Sequence, residues 1–114
     1  MGGVVVPAIY PGDPVKLFDA NAVAAPVASE KYALGPAEVA KVITWTYSFA
    51  SAPSGVSIQL QHSIDGVIWN NLDAGTATAG ETRTTVATAA RFIRANKASQ
   101  TGGGALTVNV MTAF

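Results

Sequence analysis

His62 is the sole histidine of the chain and Ser63 follows it directly. These are residue types from which a nucleophilic triad is built when a carboxylate orients the imidazole. Neighbours along a strand point to opposite faces, however, so this imidazole and this hydroxyl cannot share the needed hydrogen bond without a bulge. His62 falls on the same face as Val56, Ile58 and Leu60, near the rim of a core, and reads as a structural or interfacial histidine. The carboxylates Asp13, Asp19, Glu30, Glu38, Asp65, Asp73 and Glu81 are scattered, with no paired spacing suited to glycoside hydrolysis. Asp65 and Asp73 are expected at turns at opposite ends of a strand over 67–72, where their side chains accept backbone N–H groups.

Metal and phosphate chemistry find no better footing. One histidine and no cysteine cannot supply the ligands of an ordinary zinc site. The calcium loop of alternating Asp or Asn with glycine at its sixth place is absent. Gly102-Gly103-Gly104 lacks a following Lys-Ser/Thr and precedes a strand pattern, so it reads as a flexible turn and not a phosphate cradle. Arg91 and Arg94 lie on opposite faces of one strand by parity, Phe92 beside Arg94 and Ile93 beside Arg91. An arginine next to an aromatic can hold single-stranded nucleic acid or a sugar, but Arg94 is expected in an ion pair or a subunit contact. No catalytic, cofactor-binding or metal-binding residues are expected, no cofactor is called for, and the chain is not expected to be an enzyme.

The elements that carry these residues follow from composition and pattern. The 114 residues are 49% hydrophobic and 12% charged, with seven basic and seven acidic side chains and no cysteine. That length fits one domain with a real core. A zero net charge leaves no field for nucleic acid or anionic lipid, and the absence of cysteine excludes a disulfide scaffold. A soluble domain ordinarily carries about 25% charged residues, so the surface must be neutral and polar or partly covered by another chain. The N-terminus has no basic n-region and its apolar run is broken by Pro7 and Pro11, so it is not read as a signal peptide. Val6 stands where a myristoylation signal wants Ser or Thr. The uncharged stretch 42–64 contains Pro53, Gly55, Gln59, Gln61 and His62, which argues against a membrane helix. The chain reads as soluble.

Residues 1–29, punctuated by Pro7, Pro11, Pro14 and Pro26, are expected to form an extended arm. Its short apolar runs, Val4-Val5-Val6 and Val15-Lys16-Leu17-Phe18, each suit a strand added to a sheet edge, in this subunit or in a neighbour. From Glu30 onward alternation with period two dominates and predicts strands over 43–49, 56–63 and 105–114, with weaker ones over 31–34, 67–72, 82–88 and 90–96. Asp65-Gly66 between two strand patterns predicts a hairpin. The stretch 36–41 either forms a short helix or leads straight into the strand at Ile43, and 74–80 reads as a long flexible loop. The sum is an all-β fold: an antiparallel, jelly-roll-like β-sandwich of seven to nine strands over 30–114, with the N-terminal arm at 1–29.

The segment Gln59-Leu60-Gln61-His62-Ser63-Ile64-Asp65-Gly66-Val67-Ile68-Trp69, followed by Ala90-Arg91-Phe92-Ile93-Arg94-Ala95-Asn96 and a glycine-rich turn into the last strand, resembles small β-sandwich proteins of tailed bacteriophage particles. These are capsid decoration (cement) proteins or tail-associated modules, and the resemblance spans 56–110. It implies a virion structural protein, most of all a decoration protein that stabilises the phage head lattice by bridging subunits. The implied partners are the major capsid protein or other virion proteins and further copies of the chain, as a trimer or dimer, with no nucleic acid and no membrane. The implied location is the virion, assembled in the host cytoplasm. The expected interface lies in the arm, at Val4, Val5, Val6, Ile9, Tyr10, Leu17 and Phe18. Ser-x-Asp-Gly-x-x-Trp with Ala-Arg-x-Ile-Arg is also similar to discoidin-like carbohydrate-binding sandwiches, which implies as the alternative a carbohydrate-binding or receptor-binding module of a tail or fibre. Trp45 and Trp69 both read as core by pattern, which counts against a sugar site.

Overall fold

A computed structural model describes residues 6–34, 40–87 and 90–113. Period-two alternation becomes burial strand by strand. In chain order the strands are β1 (Val15–Asn21), β2 (Val27–Ala28), β3 (Tyr32–Ala33), β4 (Lys41–Phe49), β5 (Gly55–Ser63), β6 (Asn70–Gly75), β7 (Glu81–Ala87), β8 (Phe92–Thr101) and β9 (Leu106–Ala113). Ile43, Trp45 and Tyr47 of β4, Val56, Ile58 and Leu60 of β5, Ile93 and Ala95 of β8, and Leu106, Val108 and Val110 of β9 all point inward and are buried. One sheet has the order β1-β9-β4-β7, the other β2-β8-β5-β6, with β3 also paired to β8. Every pairing between strands is antiparallel. The two apolar faces pack together as a nine-stranded β-sandwich, the architecture the alternation predicts, with no helix among the described residues.

The N-terminal segment is built into this sandwich. Residues 7–9 run beside β3, where Ile9 N–H donates to the Ala33 carbonyl at 2.9 Å and Ala33 N–H to that of Pro7 at 2.8 Å. β1 pairs with β9, and its register steps from Lys16↔Asn109 to Phe18↔Val108. That extra residue is a β-bulge, and it lets the consecutive side chains of Leu17 and Phe18 both enter the core. Ile9, Leu17 and Phe18, expected at an interface, are therefore buried within their own chain, with β1 adding to the sheet edge of its own subunit through β9. Tyr10 stays exposed and Val6 is half-buried. Val4 and Val5 lie outside the described residues.

Other boundaries shift for identifiable reasons. The strand expected over 67–72 starts at Asn70, because side chains hold the preceding loop in a turn. The strand expected over 90–96 runs on to Thr101, carried by its pairing with the whole of β5. Lys41 opens β4; residues 36–39 of the stretch read either as a short helix or as a direct lead-in lie outside the described residues. The loop expected over 74–80 is shorter, since Ala74 and Gly75 belong to β6. It is also tied down, by Ala77 N–H donating to the Tyr47 hydroxyl oxygen at 2.9 Å. Gly75 allows this approach, because a Cβ there would run into the Tyr47 ring. Lys97 continues the inward row of Ile93 and Ala95, with its ammonium donating to Asn21 O, Asn21 Oδ1 and Val23 O at 3.2, 3.0 and 2.8 Å.

A polar clasp joins the sheets where β6 crosses to β7. Trp45 Nε1–H donates to Asp73 Oδ2 at 2.9 Å. Arg83 grips both oxygens of the same carboxylate at 3.0 Å and donates to Glu81 Oε1 at 3.1 Å, which also accepts the Tyr47 hydroxyl proton at 2.9 Å. Asp73 is thus a mid-strand residue, not the turn residue expected of it. Burial pushes the Asp73 carboxyl up, but the hydrogen bonds from Arg83, Trp45 and Ala74 outweigh it and hold the group below the usual aspartate range. Burial pushes the Tyr47 phenol up to about 12.

Two outcomes test this architecture by chemical denaturation. Phe18→Ala should cost about 3–5 kcal/mol, as a large core deletion does, whereas Tyr10→Ala should stay within about 0.5 kcal/mol. Asp73→Ala should cost about 1–3 kcal/mol, because the Trp45 N–H is left without an acceptor. The Asp73 carboxyl is depressed in the folded state, so its contribution is present above about pH 4, the unfolded value, and is lost as pH falls through the folded one. Asp73→Asn should therefore be less sensitive to acid than the parent chain, a comparison made by urea titrations at neutral and acid pH.

Candidate functional site

β5 and β6 pair antiparallel up to His62↔Asn70, so residues 64–69 form the tip of a hairpin. Two short side chains shape it. Ser63 Oγ accepts the N–H groups of Asp65 and Gly66 at 3.3 and 2.8 Å. Ser63 also donates its hydroxyl proton to Asp65 Oδ1 at 2.9 Å, and that oxygen accepts the N–H groups of Val67 and Ile68 at 2.8 and 2.9 Å. The backbone N–H groups of Ile68 and Val67, with the Ser63 hydroxyl, hold the Asp65 carboxyl below its usual range. Gly66 takes φ +77°, the left-handed region, and a Cβ there would lie 3.0 Å from Lys31 Nζ. Asp-Gly thus turns the chain as expected, in a loop of six residues instead of a two-residue turn.

With four of its backbone N–H groups satisfied from within, the tip presents its apolar side chains to solvent. Ile64, Val67 and Ile68 are 69%, 76% and 68% exposed. Behind them lies a pocket of about 280 Å³ between His62, Ile64, Ile68, Asn70 and Ala90. His62 is half-buried and borders this pocket, while the Ser63 hydroxyl is spent inside the turn; the two do not form a nucleophile–base pair. Among the described residues no group of three or more His, Asp or Glu could hold a metal ion. Sequence patterning reads 67–72 as strand and so hides the exposed tip; the usable signal is Ser63 two residues before Asp65, the spacing of a side-chain-capped turn.

Beside the tip, the outer face of the β2-β8-β5-β6 sheet carries a ladder of amides. Asn96 Nδ2 donates to Gln59 Oε1 at 2.9 Å, Gln61 Nε2 to Asn71 Oδ1 at 3.1 Å and Arg94 Nε to Gln61 Oε1 at 2.8 Å. The Arg94 guanidinium lies 4.4 Å from the centre of the Trp69 ring. Burial lowers the Arg94 pKa. Trp45 is in the core, but Trp69 is half-buried under Arg94. The strand parity used to place it inside does not apply, because Trp69 precedes β6. Within the chain Arg94 makes a stacking and an amide contact in place of an ion pair, one of the two roles expected of it. Arg91 is exposed and donates its backbone N–H to the Ser63 carbonyl at 3.0 Å, while Lys31 Nζ stands 5.4 Å from the Phe92 ring centre. Two cationic side chains, Lys31 beside Gly66 and Arg94 over Trp69, thus flank the tip.

No protein-family model matches the chain, and no curated protein matches it. Among solved structures it is similar to the SPBc2 prophage-derived protein YomS, with a TM-score of 0.63 at 16% identity, over 97% of this chain and 100% of that one. At that identity the likeness is one of fold.

Proposed function

We propose that the protein is a structural component of a bacteriophage particle, a capsid decoration protein that bridges subunits of the head lattice. The observation that carries this reading is the end-to-end fold likeness to a prophage-derived protein. In this reading the chain performs no chemistry and works by mass action: a protein that binds only the assembled lattice adds its binding free energy to that state, and weak contacts repeated over many copies multiply through avidity. The contact surface is the hairpin tip; of the arm residues expected to serve, Ile9, Leu17 and Phe18 are buried in the core while Tyr10 is exposed. Each of Ile64, Val67 and Ile68 is worth about 1.5–3 kcal/mol when it passes from water to full burial. Because the turn is already fixed by Ser63 and Asp65, little ordering is left to oppose docking.

The Trp69–Arg94 pair and its amide ladder favour a second reading, a receptor-binding tail module that holds a glycan on the outer sheet face. An aromatic beside several planar hydrogen-bonding groups is the usual equipment for a sugar ring. Both readings are checked with the purified chain. Replacing Ile64, Val67 and Ile68 together by Ser should leave the sandwich folded and sharply lower occupancy on phage heads lacking the protein, measured by sedimentation; equal occupancy overturns the decoration reading. Saturable quenching of tryptophan fluorescence by oligosaccharides, abolished in Trp69→Ala, would instead establish the glycan reading.

A further inference from the structure

Among the described residues four strand edges bound the two sheets, and three of them are built to refuse a partner. The β1 edge is bulged twice and carries Ala20 at φ +51°. The β2/β3 edge is made of two-residue strands, and the β6 edge shifts register at Leu60/Gln61. Short, bulged and irregular edges are the ordinary devices by which soluble sheets avoid pairing with another chain. β7 has none of them. Its seven residues pair with β4 without a break, from Lys41↔Ala87 to Tyr47↔Glu81, and contain neither Pro nor Gly. Alternate N–H and C=O groups of an edge strand point away from its neighbour. Among the described residues no backbone hydrogen bond outside the sheet takes up those of 81–87.

The side chains of this edge are also self-complementary. Thr82, Thr84 and Val86 face outward and are exposed, while Glu81 and Arg83 are drawn into the clasp between the sheets. The outer face behind the edge is uncharged too: Thr84 and Thr82 pair with Thr44 and Thr46 through hydroxyl contacts at 3.1 and 2.9 Å, and Val86 lies opposite Val42. An antiparallel approach of two β7 strands overlaps all seven residues in one register only, centred on Thr84. That register sets Thr84 against its own copy, Thr82 against Val86, Arg83 against Thr85 and Glu81 against Ala87. No charge stands directly opposite a like charge, which would destabilise a cross-strand pair.

We infer that β7 is the interface between two copies of this chain, which join edge to edge about a two-fold axis and extend β1-β9-β4-β7 into one continuous eight-stranded sheet. Such a contact is isologous, so it closes at the dimer and leaves no β7 edge open to further chains. The inference stands apart from the phage reading: a dimer that ignores phage particles would leave it intact.

Light scattering should return twice the 11.6 kDa chain mass, and Thr84→Lys, which sets two ammonium groups face to face, should return a single chain with an unchanged circular dichroism spectrum. Because the chain has no cysteine, Thr84→Cys provides a second measurement: oxidation should link it into covalent dimers, whereas Lys16→Cys on the β1 edge should remain unlinked. A single-chain or trimeric mass for the parent, a dimer that survives Thr84→Lys, or equal cross-linking at both edges would overturn the proposal. Dimerisation only on addition of another protein would assign the edge to a strand of that protein and overturn it as well.

Discussion

The indole N–H of Trp45 is carried into the middle of a sandwich and must find an acceptor there, and Asp73 from the opposite sheet supplies it. A buried donor left without a partner costs more than a hydrogen bond contributes net, so this carboxylate ties β6 to β4 across the sandwich. Asp73 in turn is tolerable inside only because Arg83 grips both of its oxygens. Glu81 shares the rest of that guanidinium and accepts the Tyr47 hydroxyl proton. Two aromatic rings stacked at 5.3 Å, two carboxylates and one arginine thus form a single unit at the crossover between sheets. The stability of such a unit lies in its completeness: breaking one member leaves a charge or a donor unmet.

The same logic, on a smaller scale, shapes the surface proposed for binding. Ser63 and Asp65 satisfy four backbone N–H groups of the hairpin tip from within, which leaves Ile64, Val67 and Ile68 as the part of the tip that gains most from contact with something else. Exposed apolar side chains on a mobile loop would lose entropy on docking; on a turn already closed by five hydrogen bonds most of that loss precedes binding. The clasp has a comparable effect at the far edge, where it draws Glu81 and Arg83 inward and leaves β7 with a neutral outer row.

Much of the sandwich was legible residue by residue. Ile43, Trp45 and Tyr47, Val56, Ile58 and Leu60, and Leu106, Val108 and Val110 alternate in the chain and alternate in burial, because side-chain direction in a strand is a local property with a period of two. The readings that failed are those in which parity was broken or did not apply. Leu17 and Phe18 both enter the core across a bulge that no alternation encodes. Trp69 stands before its strand begins, where parity does not apply. The exposed tip was hidden in the same way, since Val67 and Ile68 are good strand formers that the Ser63–Asp65 turn keeps out of the sheet.

The chain by itself determined the class of fold, its antiparallel pattern, the hairpin at Asp65-Gly66 and the neutral Thr, Ser, Gln and Asn coat that accounts for much of the low charge. All of these follow from interactions between residues a few positions apart. Only the tertiary structure decided where Ile9, Leu17 and Phe18 belong, which carboxylate meets Trp45, and which edges are guarded. Those outcomes depend on which strands become neighbours across the sandwich, and pairs such as β1 with β9 or Asn21 with Lys97 are brought together by chain crossings that no local period records.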